Sequence, residues 1–361
     1  MSLTFVVGTG RCGSTMFSRI LEQHPDVLSL NELMVNLANP YRTVGGDSER
    51  FWTMEMDGKT FWKYLSTPDP EANGMIKAGL SPEVTYSRIA RFDAAGGISR
   101  ISLYILLYLS SHSDSLYDKL AAEVPAWPMR STADHCRALF AMLANITGRR
   151  VVVERSGGSM SDTSVLERQF PEARFVLLHR NGPDCVLSMS RHPGYRLSAL
   201  RTMVLQLLPE TPAMTLVEES SEELTAAAPE EFKGLLAPPF DKERFMSYPI
   251  PLSLFAYIWS FLTRKGVDAL REMPRNKFTI VSYEDLINSP RMALTRLAGF
   301  IGLPASPRWL DWACDFVDTG HVGSAASQLD PDELASLRTA CAPGARALAS
   351  LESAPAPWAP L

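Results

Sequence analysis

Residues 8–15 of this 361-residue chain read Gly8-Thr9-Gly10-Arg11-Cys12-Gly13-Ser14-Thr15, directly after the apolar run Phe5-Val6-Val7. Glycines in such a turn let backbone N–H groups approach an anion, and a helix starting at its end adds a favourable partial positive charge. Arg11 brings a planar donor fork suited to phosphate or sulfate, and Ser14 and Thr15 bring two hydroxyls. A related pair lies far along the chain. Arg180 follows the apolar run Phe175-Val176-Leu177-Leu178, and Ser188 comes eight residues later, beyond the turn Asn181-Gly182-Pro183-Asp184. A strand-end arginine and a hydroxyl in the next helix can converge at the C-terminal edge of a parallel sheet. Together they suit a phosphomonoester.

The first turn admits three readings. As G-x-G-x-x-G between strand and helix, with Glu32 about 20 residues on, it fits a dinucleotide-binding turn whose acid holds a ribose. That reading is a Rossmann-type NAD(P)-dependent oxidoreductase. As G-x-x-x-x-G-K-[ST] it fails at the lysine, where Ser14 stands, so the cation for β- and γ-phosphates is missing. As [RK]-x-G-[ST]-[ST] it is matched by Arg11-Cys12-Gly13-Ser14-Thr15. That pattern resembles the 5'-phosphosulfate loop of sulfotransferases that use 3'-phosphoadenosine-5'-phosphosulfate (PAPS). Arg180 with Ser188 resembles the 3'-phosphate site of the same family, which a dehydrogenase has no reason to carry. A third stretch supports it: a strand ending in Tyr283-Glu284-Asp285-Leu286, then Ser289-Pro290 and Phe300-Ile301-Gly302-Leu303.

The resemblance implies a P-loop-like α/β fold, a three-layer sandwich with a central parallel sheet. It implies PAPS as co-substrate and 3'-phosphoadenosine-5'-phosphate (PAP) as product. The residues expected to hold them are Arg11, Cys12, Gly13, Ser14, Thr15, Arg180 and Ser188. Glu32 follows His24-Pro25-Asp26 in the order seen in tyrosylprotein sulfotransferases, which makes it the implied general base. Cytosolic members place Lys-x-His where this chain has Arg155-Ser156-Gly157. The histidine is absent, which favours Glu32. Arg155 stands in place of a lysine that steadies the bridging oxygen; arginine keeps the charge but cannot give up a proton. Arg155 is therefore a second catalytic candidate beside Arg11, with an ion pair to Glu154 or Glu32 as its structural alternative. The family's C-terminal Arg-Lys-Gly loop is not recognisable. Arg264-Lys265-Gly266 has the letters but falls on an expected helix, and Gly320-His321-Val322-Gly323-Ser324 is the other candidate to close over the donor.

Positioning these residues requires strands and helices in alternation, and the chain supplies them. Phe5-Val6-Val7 leads to a helix through Met16, Ile20 and Leu21; runs at 151–154, 175–178 and 278–281 each precede a helical segment. We expect one domain over 1–352, with helical insertions at about 37–148 and 193–250 and an Ala/Pro-rich tail at 353–361. The acidic run at 218–223 reads as a solvated helix face. The net charge of −5, from 35 basic and 40 acidic side chains, gives no nucleic-acid groove and no polybasic membrane patch. Five scattered cysteines without C-x-x-C give no disulfide framework and no zinc or other metal site. The longest apolar stretch, 101–109, is too short to cross a bilayer, and the first strand leaves no room for a signal peptide. The expectation is a bacterial, cytoplasmic protein. Phe51, Trp52, Trp62, Tyr64 and Tyr257 either line an apolar pocket or belong to the core, and the core is the assignment for most. No basic cluster suits an anionic glycan, so the expected acceptor is a hydroxylated small molecule or a lipid-like one.

Overall fold

The computed structural model describes residues 2–42, 48–81, 91–92, 96–109, 112–208, 221–318, 320 and 322–352. Its strands are β1 Ser2–Val7, β2 Val27–Asn31, β3 Glu55–Met56, β4 Arg130–Ser131, β5 Val151–Arg155, β6 Arg174–His179 and β7 Phe278–Ser282. Five of them form one parallel sheet in the order β2-β5-β1-β6-β7. The expected α/β fold with a central parallel sheet is the one the chain adopts. The reason lies in the apolar runs. Phe5, Val7, Val152, Phe175, Val176 and Leu177 are all 0% exposed, so both faces of the sheet must be covered. β3 and β4 pair as a two-residue antiparallel ribbon, too short for any periodicity to announce.

The register matters for function. Asn31 of β2 lies beside Arg155 of β5, Arg155 beside Val6 of β1, Val7 beside Leu177 of β6, and His179 of β6 beside Ser282 of β7. The strands therefore end together. The residues that follow them, in the turn after β1 and at Glu32, Arg180 and Tyr283, share one carboxyl edge with Arg155. In open parallel sheets that edge is where ligands bind. The same order bears on the dinucleotide reading. A dinucleotide fold sets its second strand directly beside the first. Here β5 lies between β1 and β2, so Glu32 does not stand where a ribose carboxylate would.

The chain packs as two units, described separately. The first comprises Met1–Val35, Ala138–Ser188 and Leu252–Leu361, and contains the whole parallel sheet. Its long helices Leu252–Glu272 and Pro331–Glu352 meet where the Trp259 ring packs against Gly344. Gly266, of the Arg-Lys-Gly letters, sits inside the first of these helices against Met160. The second unit comprises Asn36–Arg137 and Met189–Pro251. One core there joins Met75, Leu197, Leu200, Val204, Phe232, Leu236 and Phe245. The buried Arg196 donates to the carbonyls of Ser190, Phe245 and Tyr248. Phe51 and Trp52 are core residues, packed edge to face with ring centroids 5.0 Å apart.

One local expectation needs correction. The Tyr283-Glu284-Asp285-Leu286 stretch is not a strand end: β7 stops at Ser282, and Tyr283–Asn288 is a helix. Ser282 explains the switch, since its hydroxyl caps the helix by accepting the Asp285 N–H at 2.9 Å. The apolar stretch at 101–109 is helical but passes through a π-helical turn at Ser102–Leu106. The tail at 353–361, His321 and residues 218–220 of the acidic run lie outside the described residues, while the rest of that run begins the helix Ser221–Ala227. Among the described residues, no helix is long and apolar enough to cross a membrane.

Candidate functional site

The turn after β1 is built on left-handed backbone. Gly10 has φ 73°, Arg11 φ 54° and Gly13 φ 83°. Gly13 admits no substitute, because a Cβ there would lie 2.2 Å from the Tyr283 ring. The helix Ser14–Glu22 starts at once, and no side chain caps it. Its first N–H groups have no acceptor within the helix, and so remain directed at the turn. Ser14 is half-buried and Thr15 exposed at the same helix start. Cys12 is a wall of the turn. Burial pushes its thiol up to about 11, against the pull of Arg155 and Arg180, which keeps it protonated and unsuited to nucleophilic work.

Arg11 and Ser188 belong to different motifs, and the structure joins them: Arg11 Nε donates to Ser188 Oγ at 3.1 Å. Ser188 lies in the helix Gly182–Ser190, which opens just after Arg180. Arg180 is 6% exposed and is held on three sides. Asp184 pairs with it at 3.3 Å, the Tyr283 ring lies under its guanidinium at 4.7 Å, and Ser324 Oγ accepts from it at 3.4 Å. Asp184 also accepts the N–H groups of Gly323 and Ala325, both at 2.8 Å. The C-terminal segment singled out in the sequence thus reaches Arg180 through Ser324 and its partner Asp184 through Gly323.

Glu32 and Arg155 meet on the other side of β1. Glu32 Oε1 pairs with Arg155 Nη1, and Glu32 Oε2 accepts the Gly157 N–H at 2.8 Å. Arg155 donates further to Ser18 Oγ at 2.9 Å and Asn31 Oδ1 at 3.1 Å. The Arg155 side chain is 10% exposed and that of Glu32 30%, so the acid keeps the larger opening to solvent. Of the two ion pairs open to Arg155 in the sequence, the one with Glu32 forms. Arg11 (φ 54°) and Glu32 (φ 57°) are the two non-glycine residues with positive φ among the described residues. Side chains adopt that conformation at a cost on the order of 1–3 kcal/mol, and such strain clusters at functional sites.

His179 pairs with Glu352 at 2.9 Å, His24 contacts the Pro304 carbonyl at 3.0 Å, and His192 stands at the start of the helix Pro193–Leu207. Sequence reasoning passed over Asp184, four residues after Arg180, although Arg…Asp at that spacing is an ion-pair signal. It also passed over Tyr283 as a partner of Arg180, and over Glu154, a buried acid inside an apolar strand.

No protein-family model matches the chain, and no curated protein does. Solved structures do. The sulfotransferase domain from the Curacin biosynthetic pathway is 14% identical, with 94% of this chain and 96% of that one covered, at a TM-score of 0.47. The sulfotransferase domain from the Synechococcus PCC 7002 olefin synthase is 17% identical, over 97% and 94%, also at 0.47. A sulfotransferase from Alicyclobacillus acidocaldarius is 13% identical, over 97% and 95%, at 0.39. At these values the likeness assigns no role to any residue of this chain.

Proposed function

We propose that this chain is a sulfotransferase that moves the sulfuryl group of PAPS to a hydroxyl of a small-molecule or lipid-like acceptor. The contact between Arg11 and Ser188 carries the reading, because it sets two separate anion-binding motifs side by side. The donor chemistry fits the residues present. A bisphosphate with a sulfuryl group needs two clusters of cationic and N–H donors. Arg11 with the first N–H groups of helix Ser14–Glu22 forms one, and Arg180 with Ser188 and Ser324 the other.

PAPS supplies a sulfuryl group on a phosphate leaving group. Each protein residue then has a definite task. Glu32 takes the proton of the acceptor hydroxyl as the new oxygen–sulfur bond forms and the bond from sulfur to the phosphate oxygen breaks. Arg11 and the loop N–H groups stabilise charge on the sulfonyl oxygens. Arg155 holds the Glu32 carboxylate in place and offers positive charge near the departing oxygen. Arg180, Ser188 and Ser324 anchor the 3'-phosphate. The chain acts as a single catalytic domain, and its setting is a bacterial cytoplasm. Incubation of the purified protein with PAPS and a panel of phenols and primary alcohols tests the reading. Acceptor-dependent release of PAP supports it, and its absence across the panel counts against it.

A further inference from the structure

Glu154 lies in β5, an interior strand of the sheet, beside Phe5 of β1 and Leu30 of β2, and is 1% exposed. A carboxylate in that place is costly unless its hydrogen bonds are met. Its Oε1 accepts the N–H of Leu33 at 3.1 Å, the N–H of Met34 at 3.1 Å and the Ser156 hydroxyl at 2.6 Å. Ser156 Oγ in turn accepts the Val35 N–H at 3.3 Å. All three N–H groups that open the helix Leu33–Arg42 are thus satisfied from the end of β5.

That is an inversion of the usual arrangement. A helix start is ordinarily capped by the side chain of the residue just before it, in extended backbone. The residue just before this helix is Glu32, in left-handed backbone, with its carboxylate on Arg155 and Gly157. Its own N–H is tied to the Arg155 carbonyl at 2.7 Å. An acid 121 residues away from Leu33 does the capping in its stead.

We propose that Glu154 is a positioning residue for sulfuryl transfer: by capping the helix Leu33–Arg42 it holds Glu32 in its strained conformation and leaves the Glu32 carboxylate for the acceptor proton. The proposal rests on the function given above. Burial outweighs its hydrogen bonds to push the Glu154 carboxyl up to about 7, with Glu32 raising it and Arg155 lowering it electrostatically. A protonated Glu154 still presents a carbonyl oxygen to the helix, so glutamine is the conservative replacement.

The test compares Glu154→Leu and Glu154→Gln with wild type, each also in a Glu32→Gln background. Amide hydrogen exchange at Leu33 and Met34 is read first, because it needs no turnover. Glu154→Leu speeds exchange there by about tenfold, and Glu154→Gln leaves it near wild type. PAP release from PAPS with the phenol and alcohol panel is read next. Glu154→Leu lowers kcat by about tenfold with PAP affinity unchanged, Glu154→Gln restores most of it, and neither change matters once Glu32 is glutamine. Unchanged exchange in Glu154→Leu, or an equal loss of kcat with and without Glu32, overturns the proposal. If the leucine variant does not fold, Glu154→Gln decides alone: a tenfold fall in kcat with exchange intact overturns it. A wild type that never releases PAP from PAPS defeats the assigned function, while the exchange result still decides the cap.

Discussion

Arg11 Nε and Ser188 Oγ stand 3.1 Å apart although 177 residues separate them in the chain. The turn after β1 and the helix after β6 are thereby fixed to each other by a charge-assisted hydrogen bond, the strong kind. Both groups also have the chemistry to bind an anion. Ser188→Ala removes one hydroxyl from that pair without touching the sheet. We expect PAP affinity to fall by about tenfold and the melting temperature to drop by a few degrees, as about 1 kcal/mol of that bond is lost. Calorimetric titration beside a thermal melt checks both halves of the statement.

Glu32→Gln separates binding from chemistry. The amide can still accept the Gly157 N–H but cannot take a proton from an acceptor. Turnover should fall by a factor on the order of 10² to 10⁴, with PAP binding within about twofold of wild type. Steady-state kinetics and calorimetry on the same preparation decide it. A variant with full turnover would remove Glu32 from the mechanism.

Gly13→Ala should abolish PAP binding. The new methyl would lie 2.2 Å from the Tyr283 ring, and φ 83° is strained for alanine in any case. Relief requires Tyr283 to move, and Tyr283 supports Arg180 at 4.7 Å. One substitution therefore disturbs both anion clusters, with a stability loss of roughly 1–3 kcal/mol. Chemical denaturation and a PAP titration read the two effects.

Glu154 gives the protein a pH signature. Its folded carboxyl is raised from 4.5 to about 7, chiefly by burial, so the folded state holds a proton that the unfolded chain has released. Stability from this group is complete below about 4.5 and is lost as pH rises through about 7. The difference amounts to roughly 3 kcal/mol. Relative to Glu154→Gln, which has no such group, wild type should lose melting temperature between pH 5 and 8. Parallel melts across that range, with equal slopes for both proteins, would contradict the account.

Much of the fold was legible because buried parallel strands leave a plain mark. The runs at Phe5, Val151, Phe175 and Phe278 each fall in a strand, and the turn at residues 8–13 falls where a glycine pattern after a strand requires it. The second unit was less legible. Its core comes from helices brought together across long stretches of sequence, such as Met75 with Leu200 and Phe245, and no local period encodes that pairing. Within the site, the arginines and Glu32 stood out by type and spacing. Their supports did not. Glu154 reads as one acid among valines, Asp184 as a turn residue and Tyr283 as the end of a strand, because each acts through a partner remote in sequence. Only the strand order shows that β5 comes between β1 and β2, and with it that Arg155 reaches Glu32.

The most direct measurement is calorimetric titration of wild type and Arg180→Ala with PAP, run beside NAD and NADP. The account predicts tight PAP binding to wild type, loss of that binding in Arg180→Ala, and no response to either dinucleotide. Dinucleotide binding without PAP binding, or PAP binding indifferent to Arg180, would contradict it.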